Sequence, residues 1–170
     1  MSAFPQKTAA NYREMAERIA SSGGKVFLFA GASSVVMPIT IITNVAMLLA
    51  CEKGRCLLID LDTERDAVGK AFEMEDRQEG KPKAYKAIIE NLFIWPARNF
   101  GKAGWVRAYA VVGRARDNAD YVLVNAPKLA KHPECFPLLH TSDGVFVFGE
   151  KKDGEITKLA ETARCMVMPV

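Results

Sequence analysis

The chain has 170 residues, of which 49% are apolar and 25% charged, with a formal net charge of +3. That length suits one domain with a substantial core, and the small charge allows a local basic face without arguing for nucleic acid. The four cysteines, Cys51, Cys56, Cys135 and Cys165, have no paired short spacing, which excludes a disulfide frame and reads as reduced core residues of a cytosolic protein.

Taken in chain order, the first predicted element is a helix from about Thr8 to Ser21. Tyr12, Met15, Ala16 and Ile19 recur at helical spacing, and Gly23 and Gly24 end it. The polar N-terminus lacks an uninterrupted apolar signal core. An apolar strand, Lys25–Ala30, follows, then a small-residue loop, a helix at Ile39–Glu52, a basic turn and a strand at Arg55–Asp60. Val26 to Cys51 carries no charge and is long enough to span a bilayer. Gly31–Ser34, Pro38 and Asn44 interrupt it, however, so it splits into a strand and the buried central helix of an α/β sheet.

Further along, Glu73–Lys83 reads as a mobile polar loop. Helices are predicted at Lys83–Glu90, Lys102–Asn118, Pro133–His140 and Glu155–Cys165, and strands at Asn91–Trp95, Tyr121–Asn125 and Gly144–Phe148. The strands are continuous apolar runs, as expected when helices cover both faces. The expected fold is α/β: three layers, with a mostly parallel twisted sheet between helices. Residues 1–24 would form an N-terminal helix, 25–150 the core, and 151–170 a C-terminal helix and tail of the same domain.

The stretch after the first strand carries the chemical question. In a nucleotide-binding α/β protein, this order of elements places a Gly-rich loop and a Lys between strand and helix. Here that place holds Ser33-Ser34-Val35-Val36-Met37-Pro38. A phosphate cradle needs backbone N–H groups turned inward, which glycines permit. Val35 and Val36 are stiff, Met37 is bulky and Pro38 has no N–H. Pro38 instead suits the first turn of the next helix. Ile39 and Thr40 follow, leaving one hydroxyl near the place for Mg²⁺. Binding of ATP and Mg²⁺ is therefore expected to be weak or absent.

CEKGRCLLIDLDTERDAVGKAF resembles the MinD/ParA-type P-loop ATPases and, more closely, the bacterial tyrosine autokinases of polysaccharide export. In both groups an asparagine-bearing helix, a K/G/R turn and a strand ending in Asp-x-Asp follow the phosphate loop; Asn44, Gly54, Arg55, Asp60 and Asp62 fit that pattern. Glu90–Ala97 is similar to the autokinase segment in which a strand runs into Leu-Pro-Ala-Gly. Ala119–Pro127 is similar to the second acidic strand, and Thr141–Phe148 to the strand after it. The resemblance spans about Lys25 to Glu150 and implies a P-loop NTPase-like fold.

It also sharpens the departures. By the resemblance, the loop Lys aligns with Pro38, the Mg²⁺-binding Ser/Thr with Ile39, and the signature Lys of the MinD/ParA loop with a place near Ser33. The second acidic strand ends in Asn125, which keeps shape but not charge. The autokinases' tyrosine-rich tail has no counterpart before Val170. Of their Glu-x-x-Arg-x-x-Arg ring-contact motif only Arg13 remains, with Ala10 and Ala16 at the other places.

Other candidates have two readings each. Asp60 and Asp62 are either a residual Mg²⁺ or water-orienting pair at the strand ends, or acids that solvate the loop and cap the next helix, through Asp62 or Asp66. His132, Cys135 and His140 fit no common zinc spacing, so no metal site is expected there. Lys128, Lys131 and His132, and Lys151, Lys152 and Lys158, form small basic groups that read as solvated surface. Trp95 and Trp105 are contact candidates if exposed and core residues if not; Arg13 is a further contact candidate.

The resulting expectation is a noncatalytic relative of the autokinases, without a cofactor. It would be a regulatory or scaffold subunit of cell-envelope exopolysaccharide synthesis and export. Its partner would be a membrane-embedded chain-length or export protein, or an active homologue, and a homo-oligomer is a further option. It would be cytoplasmic, at the inner face of the membrane through that partner. The alternative is a MinD/ParA-like positioning ATPase with an altered nucleotide site; DNA binding in the ParA manner would need a clearer basic face.

Overall fold

The computed structural model of the chain describes residues 4–31, 36–74, 83–101, 104–126, 134, 136–148, 154, 158, 161 and 166–169. The helices are α1 (Phe4–Ser21), α2 (Ile39–Glu52), α3 (Ala67–Ala71), α4 (Gly104–Asn118) and α5 (Pro137–Thr141). The strands are β1 (Val26–Gly31), β2 (Cys56–Asp60), β3 (Tyr85–Lys86), β4 (Leu92–Trp95), β5 (Tyr121–Asn125), β6 (Gly144–Phe148) and β7 (Met166–Pro169). The strands form one seven-stranded sheet in the order β3-β4-β2-β5-β1-β6-β7. Every neighbouring pair is parallel except the antiparallel β3–β4 pair.

Alternation along the strands divides the core in two. Val26, Leu28 and Ala30 of β1, with Val122 and Val124 of β5, pack against Ala108, Val112 and Ala115 of α4 and Leu138 and Leu139 of α5. Phe27 and Phe29 face the other way, toward Ile19 of α1, Ile42, Val45 and Leu49 of α2, and Val68 of α3. Phe29 stacks on Phe146 of β6 at 4.7 Å. Both faces of the central strands are thus covered by helices, which is why β1, β2 and β5 are unbroken apolar runs.

The uncharged stretch Val26 to Cys51 is a buried strand followed by a helix, and among the described residues no helix is long and apolar enough to cross a membrane. In α2, Ile42, Val45 and Leu49 are fully buried, each stabilising by about 1.5–3 kcal/mol relative to exposure. Pro38 precedes the helix as its N-cap, in extended backbone at φ −63° and ψ 127°, one place earlier than the first turn expected for it. At the other end, Arg13–Glu52 (2.8 Å) and Lys53–Glu17 (3.0 Å) tie α2 to α1.

Four sequence expectations change. Lys83–Glu90 is not a helix: Tyr85 and Lys86 pair with Ile94 and Phe93, and the Ala87 N–H donates to Leu92 O at 2.9 Å, closing a hairpin. Asn91 turns that hairpin at φ 63°, a left-handed conformation that Asn tolerates better than most residues. Helical propensity there yields to strand pairing with β4. The helix expected at Pro133–His140 is the shorter α5. A seventh strand, β7, extends the sheet beyond β6, where only a tail was expected. Cys51 is exposed at the end of α2, whereas Cys56 is buried in β2 as expected; both are free thiols. Ser33, Ser34, His132, Cys135, Cys165, Lys128, Lys131, Lys151, Lys152 and most of Glu73–Lys83 and Glu155–Cys165 lie outside the described residues.

Candidate functional site

Chain connectivity singles out one crevice. From β1 the chain runs through α2 to β2, passing over β5; from β5 it runs through α5 to β6, passing over β1. The two neighbouring strands therefore send their following segments in opposite directions. Ligands of open α/β sheets bind at the carboxyl ends of strands at such a switch point. Gly31 ends β1 here, Asn125 ends β5, and Asp60 ends β2 on the far side of β5.

Asp60 is fully buried, and its carboxylate is committed. Oδ1 accepts the Asn125 Nδ2 amide at 2.8 Å and the Asp62 N–H at 3.0 Å, while Oδ2 accepts the Val68 N–H at 3.1 Å. Burial pushes its pKa up to about 6, against hydrogen bonds from Asp62, Asn125 and Val68 that pull it down. The bond to Val68 satisfies a first-turn donor of α3. Asp60, and neither Asp62 nor Asp66, is thus the side chain that caps this helix. Asp66 stands at the N-cap position in a left-handed conformation (φ 44°) and makes no side-chain cap bond.

Asp62 is buried and paired. Its Oδ1 accepts the Arg65 backbone N–H at 3.2 Å, and its Oδ2 binds the Arg65 guanidinium. Arg98 lies 3.9 Å from Asp66 and also donates to Met74 O, tying the 3₁₀ turn after β4 to both ends of α3. Arg65 and Arg98 were not singled out from the sequence. Arg65 was findable as a basic residue three places after an acid, but nothing in the spacing pairs residue 98 with residue 66.

The acids do not fit a cation site. Two of the three Asp60 donors are backbone groups, and Asp62 already holds an Arg. Among the described residues there is no group of three or more His, Cys, Asp or Glu that could hold a metal ion. On the α2 side, Ile39 packs against the core and Thr40 is exposed. The Thr40 carbonyl accepts Asn44 Nδ2 at 2.6 Å and Thr43 Oγ1 at 3.2 Å. Met37 is buried in the same core as α2.

The contact candidates divide. Trp95 is half-buried against the core, with its ring 6.0 Å from Phe100. The Trp105 side chain lies outside the described residues. Arg13 is exposed but occupied by Glu52.

No family model matches the sequence, and no curated protein sequence matches it. Solved structures do. The kinase domain of VpsO superposes with a TM-score of 0.75 at 15% identity, covering 99% of this chain and 97% of that one. The kinase domain of the Escherichia coli tyrosine kinase ETK gives 0.68 at 12% identity over 95% of this chain and 73% of that one. The septum site-determining protein MinD of Pyrococcus horikoshii, complexed with Mg-ADP, gives 0.69 at 13% identity over 84% of this chain and 67% of that one. This chain has the fold shared by bacterial tyrosine kinase domains and MinD/ParA-type P-loop ATPases.

Proposed function

We propose that this protein is a noncatalytic relative of the bacterial tyrosine autokinases, acting as a scaffold or regulatory subunit of envelope exopolysaccharide synthesis and export. The observation that carries the reading is the state of the switch-point crevice. In a frame that matches the VpsO kinase domain almost end to end, the strand-end acid Asp60 is spent on Asn125 and on the backbone of α3. The segment between β1 and α2 contains neither Lys nor Gly. Phosphoryl transfer depends on positioned cations and donors around the phosphates, and these residues supply few of them.

A fold whose nucleotide chemistry is gone retains a shaped surface. The partner proposed is a membrane-embedded chain-length or export protein, or an active homologue of this domain, which would hold the protein at the inner face of the membrane. Deleting the gene and measuring secreted polymer tests the role: a loss or a changed chain length is expected. Unchanged polymer with disturbed chromosome or organelle positioning would favour the second reading, a positioning ATPase with an altered nucleotide site. The likeness to MinD with Mg-ADP speaks for that reading.

A further inference from the structure

Asp60 is a fully buried carboxylate, and among the described residues every hydrogen bond it receives comes from a neutral donor. Buried charges are ordinarily paired with an ion of opposite sign or with a metal. The guanidinium groups that bind around α3 are engaged elsewhere, Arg65 with Asp62 and Arg98 with Asp66 and Met74. Among the described residues, the only side chain that hydrogen-bonds to Asp60 is Asn125, at 2.8 Å from the neighbouring strand β5.

We infer that the Asn125 amide stands where a divalent cation would have to bind, and that it closes the β2–β5 strand ends to metal by holding Asp60. A carboxylate oxygen accepts about two hydrogen bonds. Both positions on Oδ1 are filled, and the Val68 N–H takes one on Oδ2. A cation on Oδ1, the oxygen that meets β5, would have to displace the Asn125 amide or orphan the Asp62 N–H, and either exchange is unfavourable in a buried site; Oδ2 keeps one position beside the Val68 N–H. The register fixes the geometry, because Asp60 and Asn125 are direct partners across the parallel β2–β5 pair.

The identity of one atom then decides the site. With Asp at position 125, a carboxylate oxygen would face Asp60 Oδ1 in place of Nδ2, and two ionised carboxylates at that separation repel. A hard divalent cation between them would relieve the repulsion, since such ions take carboxylate oxygens as ligands. The inference rests on this geometry and stands whether or not the protein serves polysaccharide export.

Thermal unfolding of the wild-type protein, Asn125→Asp and Asn125→Leu at pH 8, in EDTA and in millimolar MnCl₂ or MgCl₂, tests it. The wild type should melt at the same temperature in all three solutions. Asn125→Asp should melt about 10 °C lower in EDTA and recover most of that loss with Mn²⁺ or Mg²⁺. Asn125→Leu, which removes the donor without adding charge, should be destabilised equally with and without metal. Metal stabilisation of the wild type or of Asn125→Leu would overturn the inference, as would an Asn125→Asp protein indifferent to metal. If Asn125→Asp cannot be recovered folded in EDTA, folding only in the presence of Mn²⁺ supports the inference, and failure in both solutions overturns it.

Discussion

Asp120 Oδ2 accepts the backbone N–H of Arg55 at 2.8 Å, joining the start of β5 to the start of β2 at the end of the sheet opposite the crevice. The same device recurs at the β1–β6 pair. Asp143, just before β6, accepts the N–H groups of Lys25 (2.8 Å) and Val26 (2.9 Å) at the start of β1. Each acid sits over a glycine. A Cβ on Gly54 would lie 2.5 Å from Asp120 Oδ2, and one on Gly24 would lie 2.7 Å from Asp143 Cβ. Gly54 also has φ +143°, which side-chain-bearing residues rarely adopt.

Gly54→Ala is therefore expected to cost about 2–4 kcal/mol, combining backbone strain with displacement of the carboxylate. Urea unfolding of the variant measures it. A loss under half a kcal/mol would show that the Asp120–Arg55 contact is not a fixed part of the fold.

Asp143 should matter more at neutral than at acid pH. Burial pushes its pKa up, but hydrogen bonds from Arg116 (2.7 Å), Val26 and Lys25 outweigh that and hold it below the ordinary carboxylate value. A depressed folded pKa means stability that is present above the unfolded pKa and lost as pH falls through the folded one. The stability difference between the wild type and Asp143→Ala should therefore be full at pH 7 and shrink below about pH 4. A difference that stays constant from pH 7 to pH 3 would contradict this assignment.

Asp60 has the opposite sign. Its folded pKa is raised to about 6 from an ordinary 3.8. The folded state then binds the proton more tightly, so this residue's contribution falls as pH rises from about 4 to about 6 and stays low above that, by about 3 kcal/mol in all. Chemical unfolding of the wild type and Asp60→Asn across pH 4–8 should show that slope in the wild type and not in the variant. Parallel curves would place the titration elsewhere.

Glu73 ends α3 in a left-handed conformation, φ 51°, while the Met74 N–H bonds back to Gly69 O at 2.9 Å and the Glu73 N–H to Lys70 O at 3.1 Å. That is the helix stop normally built with Gly. Glu73→Gly should stabilise the protein by about 1 kcal/mol, raising the melting temperature by about 2–4 °C. A lower melting temperature would mean that the Glu side chain contributes more than its backbone strain costs.

Isothermal calorimetry with Mg-ATP should show binding no tighter than about millimolar, equivalent to about −4 kcal/mol. The residues between β1 and α2 offer no Lys, and Pro38 offers no N–H at the head of α2. Micromolar binding would require a phosphate cradle built from other donors and would return the positioning reading to first place.

The sequence by itself determined the layers. Unbroken apolar runs at Val26, Cys56, Tyr121 and Gly144 can be satisfied only where both faces of a strand are covered, so alternating strands and helices imply a parallel sheet between helices. The absence of glycines and Lys before Pro38 was equally legible, because it is a matter of composition at one place. Tertiary structure alone decided the rest. Lys83–Glu90 has residues that serve a helix as well as a hairpin, and the partner that selects the hairpin, β4, lies beyond the segment itself. β7 is four residues ending in Pro169, too short to signal a strand without β6 beside it. The role of Asp60 depended on the strand order. It bonds to Asn125, 65 residues away, only because β5 comes to lie between β1 and β2. A carboxylate that local spacing could read as a cation ligand is thereby spent on an amide and on the backbone of α3, and no local pattern encodes which neighbour a strand will meet.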